Sequence, residues 1–157
     1  MIEIGFKKIE LEDKDLITHY FKHHTSRSCE RTFVNVYLWA RFYHVKFAEV
    51  EHTLVFRTED EDGFSFAYPA GEPENVKKAL DVLMVYSKER GVPFFMYTVT
   101  PDNFEYLEKW YPGRFEIEYV EGDADYVYES EKLATLSGKK LHSKRNHVNK
   151  FKIVYAD

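Results

Sequence analysis

The chain is poor in cysteine. Cys29 is the only one, so no disulfide can form within the chain, and such usage fits a reducing compartment. A lone cysteine reads either as a nucleophile with a nearby histidine or as a small buried hydrophobe, and the second reading is the expectation here. No stretch approaches the ~20 apolar residues of a membrane-spanning helix. The opening MIEIGFKKIELED has no apolar core of signal-peptide length. Repeats and low-complexity segments are absent as well. These gaps point to a soluble cytoplasmic protein, with a peripheral place at the inner membrane surface left open for its basic segment.

Catalytic signatures are also missing. There is no GxxxxGK(S/T), no GxGxxG and no GxSxG, the loops that cradle phosphates or present a serine nucleophile. A strand followed by Q/R-x-x-G-x-G/A, the acetyl-coenzyme A loop of N-acetyltransferases, is not present either. No cofactor is identified, and no catalytic residue can be assigned.

What is present is a charge imbalance. Acids number 27 against 22 Lys and Arg, a net charge of −5. Residues 139–157 hold six Lys and Arg against one acid, while residues 1–138 hold 16 against 26. A basic tail on an acidic body suggests an anionic partner, or a strap docked on the body itself. With 44% hydrophobic and 17% aromatic residues, the body has enough apolar surface for one folded domain.

Periodicity sketches that domain. Residues 12–24 read as a helix with Leu16, Ile17, Tyr20 and Phe21 on one face, and residues 32–43 as a second, aromatic-rich helix. The period then becomes two over residues 45–50, 53–57 and 64–68. This predicts a three-stranded antiparallel meander, with His52 in the first turn and the acidic run Glu59, Asp60, Glu61 and Asp62 in the second. Pro73 opens a helix that Gly91 closes. The apolar run 92–99 reads as a central strand. Thr100 and Pro101 start the next helix. Residues 115–120 and 126–128 alternate like strands, 131–136 make a short helical turn, and Gly138 leads into a basic helix. The expected fold is α+β: an N-acetyltransferase-like (GNAT-like) domain with a mixed, mainly antiparallel sheet flanked by helices over residues 1–137, and a basic connecting helix over 138–157.

Candidate binding residues cluster in KKLHSKRNHVNKFK, residues 139–152. At helical spacing His142, Arg145, Asn149 and Lys152 share one face, and Lys140, Lys144 and His147 form another row. Together with Lys139 and Asn146 these side chains are suited to holding phosphates through charge-assisted hydrogen bonds. The alternative is a solvated helix that balances the acidic body. Leu141, Val148, Phe151 and Tyr155 form an apolar stripe that would pack on a second domain, or on another copy through residues 139–155. His19 and His23 stand four apart, but no third ligand accompanies them, so they read as a surface pair and no metal is expected. Glu30 sits at a helix entrance, where it favours the helix dipole or touches substrate. With Asn35 and Trp39 it is a candidate for lining a pocket.

Three landmarks, ERTFVNVYLWARFY (30–43), FAYPAG (66–71) and DYVYESEKLATLSGKKLHSKRNHVNKF (125–151), occur in that order. Together they resemble bacterial proteins related to the C-terminal domain of phosphatidylglycerol lysyltransferase. The resemblance implies two N-acetyltransferase-like domains in tandem, akin to the Fem aminoacyltransferases, with this chain covering the first. It implies aminoacyl transfer from a charged tRNA, or transfer from an acyl donor, to a lipid or other acceptor. In that picture Lys139, Lys140, Lys144, Arg145 and His147 stand at the junction of the halves, facing a tRNA end or another phosphate. A half of this kind is not expected to be active alone. The competing expectation is a non-catalytic module that binds anionic lipid head groups or RNA through the basic helix.

Overall fold

Period-two alternation builds the centre of the fold. The computed structural model of the chain describes residues 1–22, 26, 28–61 and 63–155. Five strands form one sheet in the order β1-β2-β3-β4-β5: β1 (Lys7–Lys8), β2 (Lys46–Val50), β3 (Thr53–Asp60), β4 (Gly63–Ala67) and β5 (Met96–Tyr97). The first four pair antiparallel, and β5 joins β4 in parallel. Between β2 and β3 the loop is two residues, Glu51 and His52, both with positive φ, the backbone that matches the twist of a tight hairpin.

Alternation sends successive residues to opposite faces, and each face meets helices. Phe47, Leu54 and Phe56 pack with Ile17 and Phe21 of α1 (Lys14–Lys22) and with Phe33 and Ala40 of α2 (Phe33–Ala40). On the other face Ala48, Val50, Val55 and Phe66 pack with Ala79, Leu83 and Tyr86 of α3 (Pro73–Glu89). Pro73 takes the first helical turn of α3, and Gly91, at φ 68°, follows its end. That is the N-terminal proline and C-terminal glycine asymmetry expected of a helix. Thr100 caps α4 (Pro101–Trp110): its hydroxyl accepts from the Asn103 N–H at 3.2 Å, and the Asn103 side chain accepts from the Thr100 N–H. Leu107 and Tyr111 then close a third apolar cluster with Tyr68, Val76 and Leu80.

Three expectations need correction. Cys29, expected to be a small buried hydrophobe, is exposed. The run 92–99 supplies only Met96–Tyr97 as strand, and this pair lies at the edge of the sheet rather than its centre. Among the described residues no strand lies beyond it, and Phe95 is exposed while Phe94, Met96 and Val99 pack against the core. Residues 115–120 and 126–128 are irregular. Only Phe115 of the first stretch reaches the core, while Ile117 and Tyr119 are exposed; alternation without a pairing partner does not make a strand. The expected end of the first helix at residue 24, His23 of the histidine pair and Asp62 of the acidic turn lie outside the described residues.

Internal contacts divide the chain into two units, Met1–Tyr119 and Val120–Asp157. Residues 120–137 therefore group with the basic helix. The second unit contains α5 (Ser130–Thr135), a single 3-10 turn (Lys139–Leu141) and α6 (His142–Tyr155). Among the described residues no helix is long and apolar enough to cross a membrane.

Candidate functional site

A register shift creates the most distinctive polar cluster in the first unit. Arg57 pairs with Phe66, and Leu54 bridges to Ala70 with two backbone hydrogen bonds of 2.8 and 2.9 Å. The step from Arg57 to Leu54 is three residues and the step from Phe66 to Ala70 is four, so the strand carries one extra residue, a β-bulge. Pro69, which has no N–H to donate, is tolerated there. Gly71 closes the segment because a Cβ would stand 2.8 Å from Thr53 Cγ2. The bulge frees the Tyr68 carbonyl from the ladder, and the Arg31 guanidinium donates to it at 2.8 Å.

Local structure aims Arg31 at this point. Cys29–Arg31 form a 3-10 turn whose N-cap Ser28 hydroxyl accepts from the Glu30 N–H at 3.2 Å. The guanidinium lies 5.8 Å from the centre of the Phe21 ring. Burial lowers the pKa of Arg31, while Glu30, Tyr97 and Tyr68 act to raise it; the group stays a cation. Burial pushes the Tyr97 hydroxyl up; the bond to Thr58 opposes this, the Glu30 charge adds to it and Arg31 works against it. The Tyr97 and Thr58 hydroxyls are 2.8 Å apart. Tyr68 is also raised, first by burial and then by Tyr106 of α4, against the pull of Arg31. One residue past Tyr97, Thr98 has φ 56°, a rare conformation for a β-branched residue. Its buried hydroxyl has no hydrogen-bond partner among the described residues. Strain and an unsatisfied hydroxyl side by side are features that gather at functional sites.

The cluster thus places one fixed cation and the protonated Tyr97 phenol at the carboxyl ends of β4 and β5, the parallel pair joined through α3, while the Tyr68 ring packs with Val76, Leu80 and Leu107. Chemically the cluster suits a carbonyl, carboxylate or phosphate oxygen. Tyr97, held protonated, is a donor rather than a base.

Of the residues singled out in the sequence, Glu30 belongs here: it is exposed and within electrostatic reach of Arg31 and Tyr97. Asn35 is half-buried one turn into α2, where its N–H donates to the capping hydroxyl of Thr32 at 3.4 Å. Trp39 stands apart, half-exposed and packed on Phe42 and Tyr43. Within the second unit Lys139 and Lys140 lie in the 3-10 turn, and His142, Lys144, Asn146, His147 and Asn149 are exposed on α6. Arg145 has another use. Its guanidinium donates to the carbonyls of Leu136 and Gly138, the latter at 2.9 Å, and so fastens α6 to the loop after α5. Both of those residues have positive φ. His142 Nδ1 and Asn146 Nδ2 are 3.5 Å apart. Among the described residues there is no group of three potential metal ligands.

Arg31, Tyr68, Tyr97 and Thr98 were not candidates from sequence. Two hints were available: a polar Tyr-Thr pair interrupts an otherwise apolar run, and Arg31 and Tyr68 fall inside two of the landmarks.

Fold and site together define a mixed α+β domain, with a five-stranded, mostly antiparallel sheet flanked by helices and a cation-and-phenol cluster at its parallel edge. The particular family follows from comparison. Residues 21–155 match the family described as phosphatidylglycerol lysyltransferase, C-terminal, and the chain belongs to that family. A crystal structure of a conserved protein of unknown function from Bacteroides thetaiotaomicron is 34% identical, with a TM-score of 0.86 over 99% of this chain and 52% of that one. An uncharacterized protein of Mycoplasmoides gallisepticum is 41% identical over 44 residues, 27% of this chain and 14% of that one. The chain therefore spans about half the length of the solved relative and a small part of the curated one. Membership relates the chain to lysyltransferase-type acyl and aminoacyl transferases.

Proposed function

We propose that the chain is one half of an aminoacyl- or acyltransferase, an N-acetyltransferase-like domain that works with a second domain of the same protein. The reaction would move an aminoacyl group from a charged tRNA, or an acyl group from another donor, to a lipid or other acceptor. The observation that carries this reading is the family match, which runs through both Arg31 and the whole of α6. In such a transfer an amine or hydroxyl attacks an ester carbonyl, and the protein orients the two reactants and stabilises the oxyanion. Arg31 and the Tyr97 hydroxyl are the donors we assign to that oxygen. Lys139, Lys140 and Lys144, with His147, are assigned to the phosphates of the donor, with salt-sensitive affinity.

The test is binding of aminoacyl-tRNA to the chain at low and moderate salt. Tight binding at low salt that weakens in Lys140→Ala with Lys144→Ala supports the reading. Absence of binding at low salt removes it. Arg145→Ala is the wrong variant for this purpose, because it also unfastens α6.

One observation favours a second reading, a non-catalytic module for anionic lipid or RNA. Lys132 of α5 pairs with Glu129 just ahead of that helix at 2.9 Å, and Lys144, Lys150 and Lys152 are exposed on α6. Val148, Phe151, Ile153, Val154 and Tyr155 are exposed on the same helix. Such a helix suits an anionic surface, and its apolar residues suit a second copy joined through residues 139–155. Flotation with vesicles that contain or lack phosphatidylglycerol separates the lipid reading from transfer. Sedimentation at high concentration tests the dimer.

A further inference from the structure

We propose that a groove beside α3 is a binding site for a small aromatic carboxylate. The groove holds about 510 Å³, within the range of ordinary ligand pockets. One wall comes from α3: Met84, Val85 and Lys88 follow Asp81 by three, four and seven residues and so share a face of the helix. The other wall is Phe94, from the segment ahead of β5, with Arg114 and Phe115 from the turn after α4. All of these residues lie in the first unit, and none belongs to the Arg31 cluster.

The contacts that build the groove continue into the core. The Phe94 ring centre lies 5.9 Å from that of the buried Phe66, and Phe115 lies 6.2 Å from Phe94 and 5.7 Å from Tyr111. The hydroxyl of the buried Tyr111 donates to Asp81 Oδ1 at 2.7 Å and to the Lys77 carbonyl at 3.2 Å, which ties the turn after α4 to α3. Gly113, at φ 64°, redirects the chain. Its N–H donates to the Glu108 carboxylate at 3.3 Å, and the Arg114 N–H donates to the Tyr111 carbonyl at 3.1 Å. The backbone that carries Arg114 and Phe115 is thus fixed before a ligand arrives, which lowers the ordering cost of binding.

The lining selects the ligand. Phe94, Phe115 and Met84 offer two tilted rings and a thioether, surfaces that pack well against another flat ring. Lys88 and Arg114 are exposed on the rim, and the arginine fork matches a carboxylate. Asp81 is already held. Lys77 donates to its Oδ2 at 3.0 Å. Burial would raise the Asp81 carboxyl, but the bonds from Tyr111 and Lys77 and the charges of Lys77 and Arg114 keep it below its ordinary range. The charged lining groups, Lys88, Arg114 and Asp81, therefore leave one positive charge. A monoanion cancels it, whereas a phosphate dianion would be repelled by Asp81. A carboxylate can accept about four hydrogen bonds, so Asp81 has room for an N–H or O–H on the ligand's ring. Of the acids beside the groove, Glu89 accepts from the Ile2 N–H and Glu108 from the Gly113 N–H, and neither these nor Glu116 lines it.

The experiment titrates the whole chain with indole-3-acetate at low salt and follows its amide signals by two-dimensional NMR. The expected result is saturable binding with a Kd of about 0.1–1 mM, the scale for a ligand of this size, and shifts centred on Met84, Val85, Phe94 and Phe115. Lys88→Glu and Arg114→Glu should each weaken binding about tenfold. Val85→Trp, which fills the groove from a position 44% exposed, should abolish it. All three variants should keep the far-ultraviolet circular dichroism of the parent. Absence of saturable shifts, or shifts centred on the Arg31 cluster or α6, overturns the proposal. Equal binding of tryptamine, the same ring with a cation, overturns it in favour of a groove that reads the ring alone. Tighter binding of adenosine monophosphate overturns it in favour of a nucleotide. Aminoacyl-tRNA takes no part in these measurements, so the proposal and the transferase reading fail separately.

Discussion

The two units of the chain are held together in different ways. In the first, both faces of the sheet are covered, and Ile17, Leu54, Val55, Phe66, Leu80 and Leu83 are fully buried. In the second, no described residue is buried. Its long helix, α6, is fixed to the loop before it by the guanidinium of Arg145. An isolated fourteen-residue helix is close to the length at which helices are marginal in water. The difference separates a scaffold able to hold a strained site from a segment that offers charge.

The largest expected contrast is in core truncation. Leu54→Ala or Leu83→Ala should cost about 2–5 kcal/mol in urea unfolding, while Val148→Ala on α6 should change stability by less than about 0.5 kcal/mol. Comparable losses at the two places would erase the distinction.

Next comes the bulge. Arg31→Ala leaves the Tyr68 carbonyl without its donor and should cost about 1–3 kcal/mol. Arg31→Lys should recover part of this but lose the planar fork. If Arg31→Ala unfolds at the same urea concentration as the parent, the guanidinium does not hold the bulge.

This part of the molecule shows where sequence reading stops. Helix α3 was legible because Pro73 and Gly91 are local signals that need no partner. The meander was legible for the same reason: period two survives in any partner's presence. The bulge was not, because an extra residue exists only relative to the register of β3, and FAYPAG looks regular by itself. Arg31 followed the bulge into obscurity, since its acceptor is a carbonyl that regular pairing would have occupied. Residues 115–120 failed in the opposite sense, with the right period but no strand beside them. The basic helix was read in place, yet Arg145 was grouped with its neighbours because spacing does not reveal a loop folded back on it.

A smaller effect is expected at Arg145. Its replacement by Ala should lower helical circular dichroism and weaken the second unit by about 1 kcal/mol, with no change in the urea midpoint of the core. A shift of that midpoint would mean that the two units unfold as one.

The smallest effect is acid sensitivity at Asp13. Burial would raise its carboxyl, but the Lys7 hydrogen bond at 2.6 Å, the Glu10 N–H at 2.9 Å and the Lys7 charge outweigh burial and hold it below the usual range. A depressed folded-state pKa gives stability that is fully present above the unfolded value near 3.9 and is lost as pH falls through the lower folded value. Asp13→Asn should therefore flatten the acid limb of the stability profile and leave its slope near neutrality unchanged. An acid limb of unchanged steepness would show that the ion pair does not contribute.

Native-state hydrogen exchange of the whole chain tests the contrast most directly. Amides of Leu54, Val55 and Phe56 in β3 should exchange only through global unfolding, while those in the middle of α6 should exchange through a far cheaper local opening that Arg145→Ala makes cheaper still. Equal protection in β3 and α6, unaffected by that substitution, would contradict the division into a packed scaffold and a charged helix tied down by one arginine.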